Sequence, residues 1–232
     1  MALLAKEAYS LYNTFMYKYV FYDLDGTLLD TLPGIRRAIN EALLRQGFPH
    51  SFSLKEAKTL IGDGSDALIR RSMKDLEKEG DFDRLKAEFL PLYREFQKTH
   101  SKPYNGMKEM VRFLSERGIK QFVVTNKPNL LATEVIAEYF PPNTFIVVKG
   151  IEEGEKVKPD PHNVLSLMEQ YGCDPKECLY VGDSKTDLLT AENASLPLAL
   201  CLWGYGFYKP ELLSKSKYVC SKPKDLLKAI LF

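Results

Sequence analysis

Asp23 and Asp25 stand two residues apart, directly after the short apolar run Tyr19-Val-Phe-Tyr22, and are followed by Gly26 and Thr27. A tight turn at Gly26 would bring both carboxylates to one small volume. Two carboxylates so placed suit either cation binding or a division of labour between a nucleophile and an acid–base. A solvated Asp-Gly turn after a strand accounts for the same residues without any chemistry. Three further groups lie downstream: Thr125 and Asn126, Lys158 in Lys-Pro-Asp-Pro161, and Asp183 and Asp187 in Gly182-Asp-Ser-Lys-Thr-Asp187. Singly, Thr125 reads as a helix cap, Lys158 as a surface charge and Asp183 as an N-cap. In this order, each tied to a strand end, they form one constellation. Four carboxylates gathered there would repel strongly unless a cation sat among them and the lysine balanced part of the charge.

The elements that must position these groups are legible as alternating patterns. Short β-favouring apolar runs occur at residues 19–22, 121–125, 145–148, 179–181 and 198–202, with a short edge strand at 218–219. Helical patterns at 107–117, 130–139, 161–171, 185–192 and 223–231 separate or follow them. Strands alternating with helices of this length predict a mostly parallel sheet covered on both faces, with ligands at the carboxyl ends of the strands. Between Asp30 and about residue 99 no convincing strand occurs, only helical patterns at 33–46, 54–60, 65–78 and 82–97. Pro33 fits a first helical turn, where its missing N–H would have had no partner. The economical reading is a helical subdomain inserted after the first strand, leaving and rejoining near the strand end and so able to lie over it as a lid. The expected division is a lead-in at 1–18, an α/β core at 19–30 and 100–232, and a helical cap at 31–99. In the lead-in, Tyr9, Tyr12, Phe15, Met16 and Tyr19 recur at roughly helical spacing, an aromatic stripe expected to pack on the domain body.

Composition narrows the class. The chain has 232 residues, 45% hydrophobic and 27% charged, and its 32 Lys and Arg nearly balance 31 Asp and Glu for a net charge of +1. Nothing in that balance predicts a nucleic-acid or membrane partner. No run approaches the ~20 apolar residues of a membrane span, and the apolar stretch before Lys6 is too short for a signal-peptide core. Cys173, Cys178, Cys201 and Cys220 form no CxxC pair, and the three histidines are scattered. The expectation is a cytoplasmic protein with unpaired thiols and no zinc site.

The four motifs together resemble those of the haloacid dehalogenase-like hydrolase superfamily, most closely its phosphoglycolate phosphatase-like branch with a helical cap. They are DLDGT at 23–27, TN at 125–126, Lys158 in KPDP and GDSKTD at 182–187. WGYG at 203–206 and YVCSKPKDLL at 218–227 are similar to that branch as well. The resemblance covers residues 19 to 232 and implies a Rossmann-like core. It also implies a magnesium-dependent phosphatase acting on a small phosphomonoester, with 2-phosphoglycolate the leading named substrate, through a phosphoaspartate on Asp23.

In that scheme Asp25 acts as acid and then base. Mg²⁺ is held by the Asp23 carboxylate, the Asp25 backbone carbonyl and Asp183, and Asp187 supports the metal end through water or by orienting its neighbours. Thr125, the Asn126 N–H and Lys158 hold the phosphoryl group. The dehalogenases lack the second aspartate of the first motif, so Asp25 with Asp183 argues for phosphoryl chemistry. A phosphomutase of the same superfamily and a non-catalytic binding protein retaining the fold are the alternatives. Cap residues Gly62, Arg70 and Arg71, together with Lys127, are the candidates for substrate choice. The partner expected is a small phosphorylated metabolite; monomer and homodimer are both open. Relatives usually carry an Ala-Gly pair after the fourth motif, where this chain reads Glu192-Asn-Ala-Ser195, with Asn193 the expected left-handed substitute for glycine.

Overall fold

The structure, a computed structural model, describes residues 15–76 and 78–232. In chain order the strands are β1 (Tyr19–Tyr22), β2 (Leu29–Asp30), β3 (Lys102–Pro103), β4 (Lys120–Pro128), β5 (Val147–Ile151), β6 (Cys178–Gly182), β7 (Leu198–Cys201) and β8 (Tyr218–Cys220). Six of them form one sheet in the order β5-β4-β1-β6-β7-β8, and every pairing in it is parallel. The helices are α1 (Leu32–Arg45), α2 (Leu54–Ala57), α3 (Ser65–Met73), α4 (Asp81–His100), α5 (Met107–Glu116), α6 (Asn129–Tyr139), α7 (His162–Tyr171), α8 (Lys185–Asn193), α9 (Pro210–Lys215) and α10 (Pro223–Leu231).

The apolar strand runs are continuous because both faces of the sheet are covered. Side chains alternate between faces along each strand. Val20, Tyr22, Leu179 and Val181 therefore join the cluster with α5, α6 and α10. Phe21, Cys178 and Tyr180 join the opposite cluster with α7, α8 and α9. All four cysteines are buried and unpaired, and no helix among the described residues is long and apolar enough to cross a membrane.

A third cluster belongs to the helices between β2 and β3. Ile35, Ile39 and Leu43 of α1 meet Leu85, Phe89 and Tyr93 of α4, with Leu68 and Ile69 of α3 alongside. Each such side chain withdrawn from water contributes about 1.5–3 kcal/mol. The neck of this insertion is an antiparallel ribbon in which Leu29 pairs with Pro103 and Asp30 with Lys102. At two residues per strand the ribbon is too short to show any periodicity in sequence. Its position brings the chain back beside the point where it left β1, so α1–α4 are tethered next to the strand ends.

Other departures from the sequence reading have local causes. The fifth strand begins at Val147 rather than 145, because Phe145 is engaged edge-on with Phe140 and Tyr22 before pairing starts. β4 continues past Thr125 to Pro128, with its pairing to β5 shifting register between Val124 and Pro128. After α8, the left-handed residue is Ser195 (φ 56°), while Asn193 stays helical and donates its side-chain amide to Pro159 O at 2.9 Å. Tyr9 and Tyr12 of the aromatic stripe lie outside the described residues; Tyr17 is buried, with its hydroxyl accepting from Lys217 Nζ at 2.8 Å.

Candidate active site

β1 lies between β4 and β6, and the chain builds out on one side of it before crossing to the other. The carboxyl ends of strands flanking such a switch point diverge and leave a crevice. Asp23 follows β1 there, its N–H donating to Val181 O at 2.8 Å. The next residues turn back at once: Thr27, Leu28 and Leu29 all direct their N–H groups to Leu24 O. Gly26 makes this possible with φ 92°, and a Cβ there would stand 2.6 Å from Asp183 Oδ2. The turn therefore brings the first and fourth motifs into contact, and Thr27 Oγ1 donates to Asp183 Oδ1 at 3.1 Å.

Lys158 ties the carboxylates together. Its Nζ donates to Asp23 Oδ1 at 2.7 Å, Asp187 Oδ1 at 2.8 Å and the Tyr180 hydroxyl at 3.2 Å. Asn126 fastens the loop that carries it, accepting from Lys158 N at 2.7 Å and donating to Lys158 O at 3.1 Å. The same amide nitrogen donates to Gly62 O of the insertion at 3.1 Å. Thr125 is buried beside it, with Oγ1 accepting from Lys127 N at 3.3 Å.

Ser184 and Asp187 form a capping box at the start of α8. Asp187 Oδ2 accepts from Asp183 N and Ser184 N, both at 3.1 Å, and from Ser184 Oγ at 2.6 Å. With Oδ1 on Lys158, both Asp187 oxygens are engaged, so of the two expected roles the geometry favours orienting its neighbours. Asp183 Oδ2 accepts from Tyr205 N at 2.5 Å and Gly206 N at 3.2 Å. A side chain at Gly204 would overlap that carboxylate.

The electrostatics follow from burial. Desolvation pushes Asp23 up to about 7 against the lowering effect of Lys158, with Asp187 and Asp25 adding to the rise. Asp183 is held well above the carboxylate range by burial, then by Asp187 and Asp23. Burial disfavours the charge on Lys158, but Asp187 and Asp23 outweigh it and raise its pKa well above that of an ordinary lysine. Asp23, Asp183 and Asp187 each place an oxygen within 4.8 Å of the others, all buried. Three carboxylates against one ammonium leave a charge that a divalent cation would balance, and an all-oxygen donor set suits a hard cation. The Asp25 carboxylate stands apart from this trio, with Oδ1 3.3 Å from Lys127 Nζ.

A cavity of about 370 Å³ opens between the strand ends and the helical insertion, lined by Asp23, Asp25, Thr125, Asn126, Lys127, Lys158, Asp183 and Asp187 from the core. Gly62, Asp63, Leu68, Phe89 and Tyr93 line it from the insertion. Arg70 and Arg71 do not. Arg70 lies over the Phe82 ring, 4.0 Å from its centroid, and Arg71 pairs with Asp63 and donates to Leu60 O at 3.1 Å. Asp63 in turn accepts from Thr186 Oγ1 at 3.2 Å, so Arg71 acts on a contact between insertion and core. Sequence reasoning missed Tyr93, Tyr180, Thr27 and the Tyr205 backbone. Tyr93 and Tyr180 occupy core-facing positions of a helix and a strand, where an aromatic residue signals packing rather than a polar role.

Comparison with known proteins agrees with this geometry. Residues 20–201 match the model of the haloacid dehalogenase-like hydrolases. Phosphoglycolate phosphatase of Vibrio vulnificus is 33% identical over 220 residues, covering 92% of this chain and 96% of that protein. Phosphoglycolate phosphatase 1 of Pseudomonas aeruginosa is 29% identical over 212 residues, covering 90% and 78%. The crystal structure of a predicted phosphoglycolate phosphatase from Haemophilus somnus superposes with a TM-score of 0.85 at 30% identity, covering 92% of this chain and 98% of that one. The chain belongs to the haloacid dehalogenase-like hydrolases, in their phosphoglycolate phosphatase-like branch.

Proposed function

We propose that this phosphoric monoester hydrolase cleaves a small phosphomonoester through a phosphoaspartate on Asp23, with Mg²⁺ as cofactor and 2-phosphoglycolate as the leading substrate. The observation that carries the reading is the Asp23 carboxylate, buried at the cavity and held 2.7 Å from Lys158 Nζ. The names of the relatives support the substrate.

Asp23 attacks phosphorus in line, and the ester P–O bond breaks as Asp25 gives its proton to the departing oxygen. Asp25 then takes a proton from water, whose oxygen attacks the phosphoaspartate and releases phosphate and the Asp23 carboxylate. Thr125 Oγ1 and the Asn126 N–H hold the phosphoryl oxygens, while the Lys158 charge neutralises the group and its bond to Asp23 fixes which Asp23 oxygen is free to attack. A divalent cation held by Asp23, Asp183 and the Asp25 backbone carbonyl would supply further charge neutralisation on the phosphoryl oxygens. Asp187 holds Lys158 and the start of α8 in place. Residues 31–99 act as the cap, excluding bulk water and limiting substrate size.

The test is phosphate release with and without Mg²⁺ across a panel of small esters, including nucleotide monophosphates and sugar phosphates. Metal-dependent turnover dominated by one ester is the expected result. Weak, flat release across the panel would point instead to a phosphomutase, to a substrate outside the panel or to a binding role.

A further inference from the structure

Two lysines reach the buried part of the cavity, and their hydrogen-bonding capacity differs. An ammonium has three N–H donors. Lys158 directs all three at protein groups: Asp23, Asp187 and Tyr180. Among the described residues Lys127 has two partners, the Tyr93 hydroxyl and Asp25 Oδ1 at 3.3 Å, and its ammonium also lies 3.9 Å from the centroid of the Tyr93 ring. Its side chain is fully buried and lines the cavity. One donor of a desolvated cation is thus left for whatever enters.

From these contacts we infer that Lys127, held in place by Tyr93, is the specificity residue that reads an anionic group on the alcohol half of the substrate. This inference rests on the phosphatase reading, because it takes Asp25 as the acid facing the departing oxygen. Lys127 is beside Asp25 and not on Asp23, so its free N–H is on the side of the leaving alcohol rather than of the phosphoryl group. Phe89 and Leu68 add apolar surface to the same cavity. A short alcohol with a carboxylate one carbon from the ester oxygen would bring that anion to Lys127. A neutral alcohol would leave the Lys127 donor unsatisfied and buried, which is the arrangement that discriminates most strongly between substrates. Tyr93 is a positioning residue: α4 carries it from the insertion, so the specificity lysine is aligned only when the insertion lies over the core.

The experiment compares kcat/KM for 2-phosphoglycolate and for ethyl phosphate, which matches it in chain length and lacks the carboxylate. The wild-type enzyme should prefer phosphoglycolate, and Lys127→Met should reduce that preference by about 10- to 100-fold, the range of one charge-assisted hydrogen bond. Tyr93→Phe, which keeps the ring and loses the hydroxyl, should reduce it by a smaller factor, chiefly through KM for phosphoglycolate. Equal losses on both esters in Lys127→Met would overturn the inference, because they would mark Lys127 as a general support of the site. Equal turnover of both esters by the wild type would also overturn it, while leaving the phosphatase reading intact. Turnover of neither ester would overturn the inference, and phosphate release from the other esters of the panel decides the phosphatase reading separately.

Discussion

Asn126 grips Lys158 through both ends of its side-chain amide: Oδ1 accepts from Lys158 N at 2.7 Å and Nδ2 donates to Lys158 O at 3.1 Å. The second motif thereby sets the backbone of the third, and the Lys158 ammonium reaches Asp23 and Asp187 from a fixed base. Replacing Asn126 by alanine leaves buried backbone groups of Lys158 unpaired, at about 1–3 kcal/mol each. We expect Asn126→Ala to lower stability by about 2–4 kcal/mol in denaturant titration. Turnover should fall more than ten-fold because Lys158 loses its alignment.

Asp23→Asn should abolish turnover while the far-ultraviolet circular dichroism and the cooperative melt remain those of a folded protein. Burial penalises the charged form of Asp23, so the amide is accommodated without cost from that source. Chelation with EDTA should stop the wild-type enzyme reversibly. Turnover by Asp23→Asn at the wild-type level would rule out the covalent route.

The raised Asp23 pKa makes a signed prediction for the metal-free protein. Its folded value of about 7 exceeds the ordinary aspartate value of 3.8, so between these values the folded state binds more protons than the unfolded state. Stability therefore falls as pH rises through that window. The Tm of the metal-free protein should decline between pH 4.5 and 7.5 more steeply than that of Asp23→Asn. Metal binding must displace the same proton, so Mg²⁺ affinity should rise with pH over this range and calorimetry should detect proton release.

Tyr205 closes the hinge of the helical insertion. Its hydroxyl accepts from Thr31 N at 2.6 Å and Leu32 N at 2.9 Å and donates to Asp30 Oδ1 at 2.8 Å. The Thr31 side chain makes no capping bond of its own, so this distant tyrosine satisfies the first N–H groups of α1. We expect Tyr205→Phe to lower stability by about 1–2 kcal/mol and to speed amide hydrogen exchange at residues 31 and 32.

The sequence by itself determined the alternation of core strands and helices, the parallel sheet and the carriers of the candidate chemistry. Those features depend on neighbours a few residues away. Apolar β-favouring runs make strands, Pro33 and Pro223 open helices, Gly26 permits the turn, and each motif lies in or beyond the last residues of its own strand. Only the tertiary structure decided how the groups are shared among partners. It assigned both Asp187 oxygens to Ser184, the Asp183 backbone and Lys158, sent Arg70 and Arg71 away from the cavity, and joined Lys127 to Asp25 and Tyr93. Asp25 and Lys127 are separated by 102 positions, and Asp23 and Lys158 by 135. No local propensity registers contacts at that range, because they exist only once the sheet has set the strand ends side by side and the insertion has packed over them.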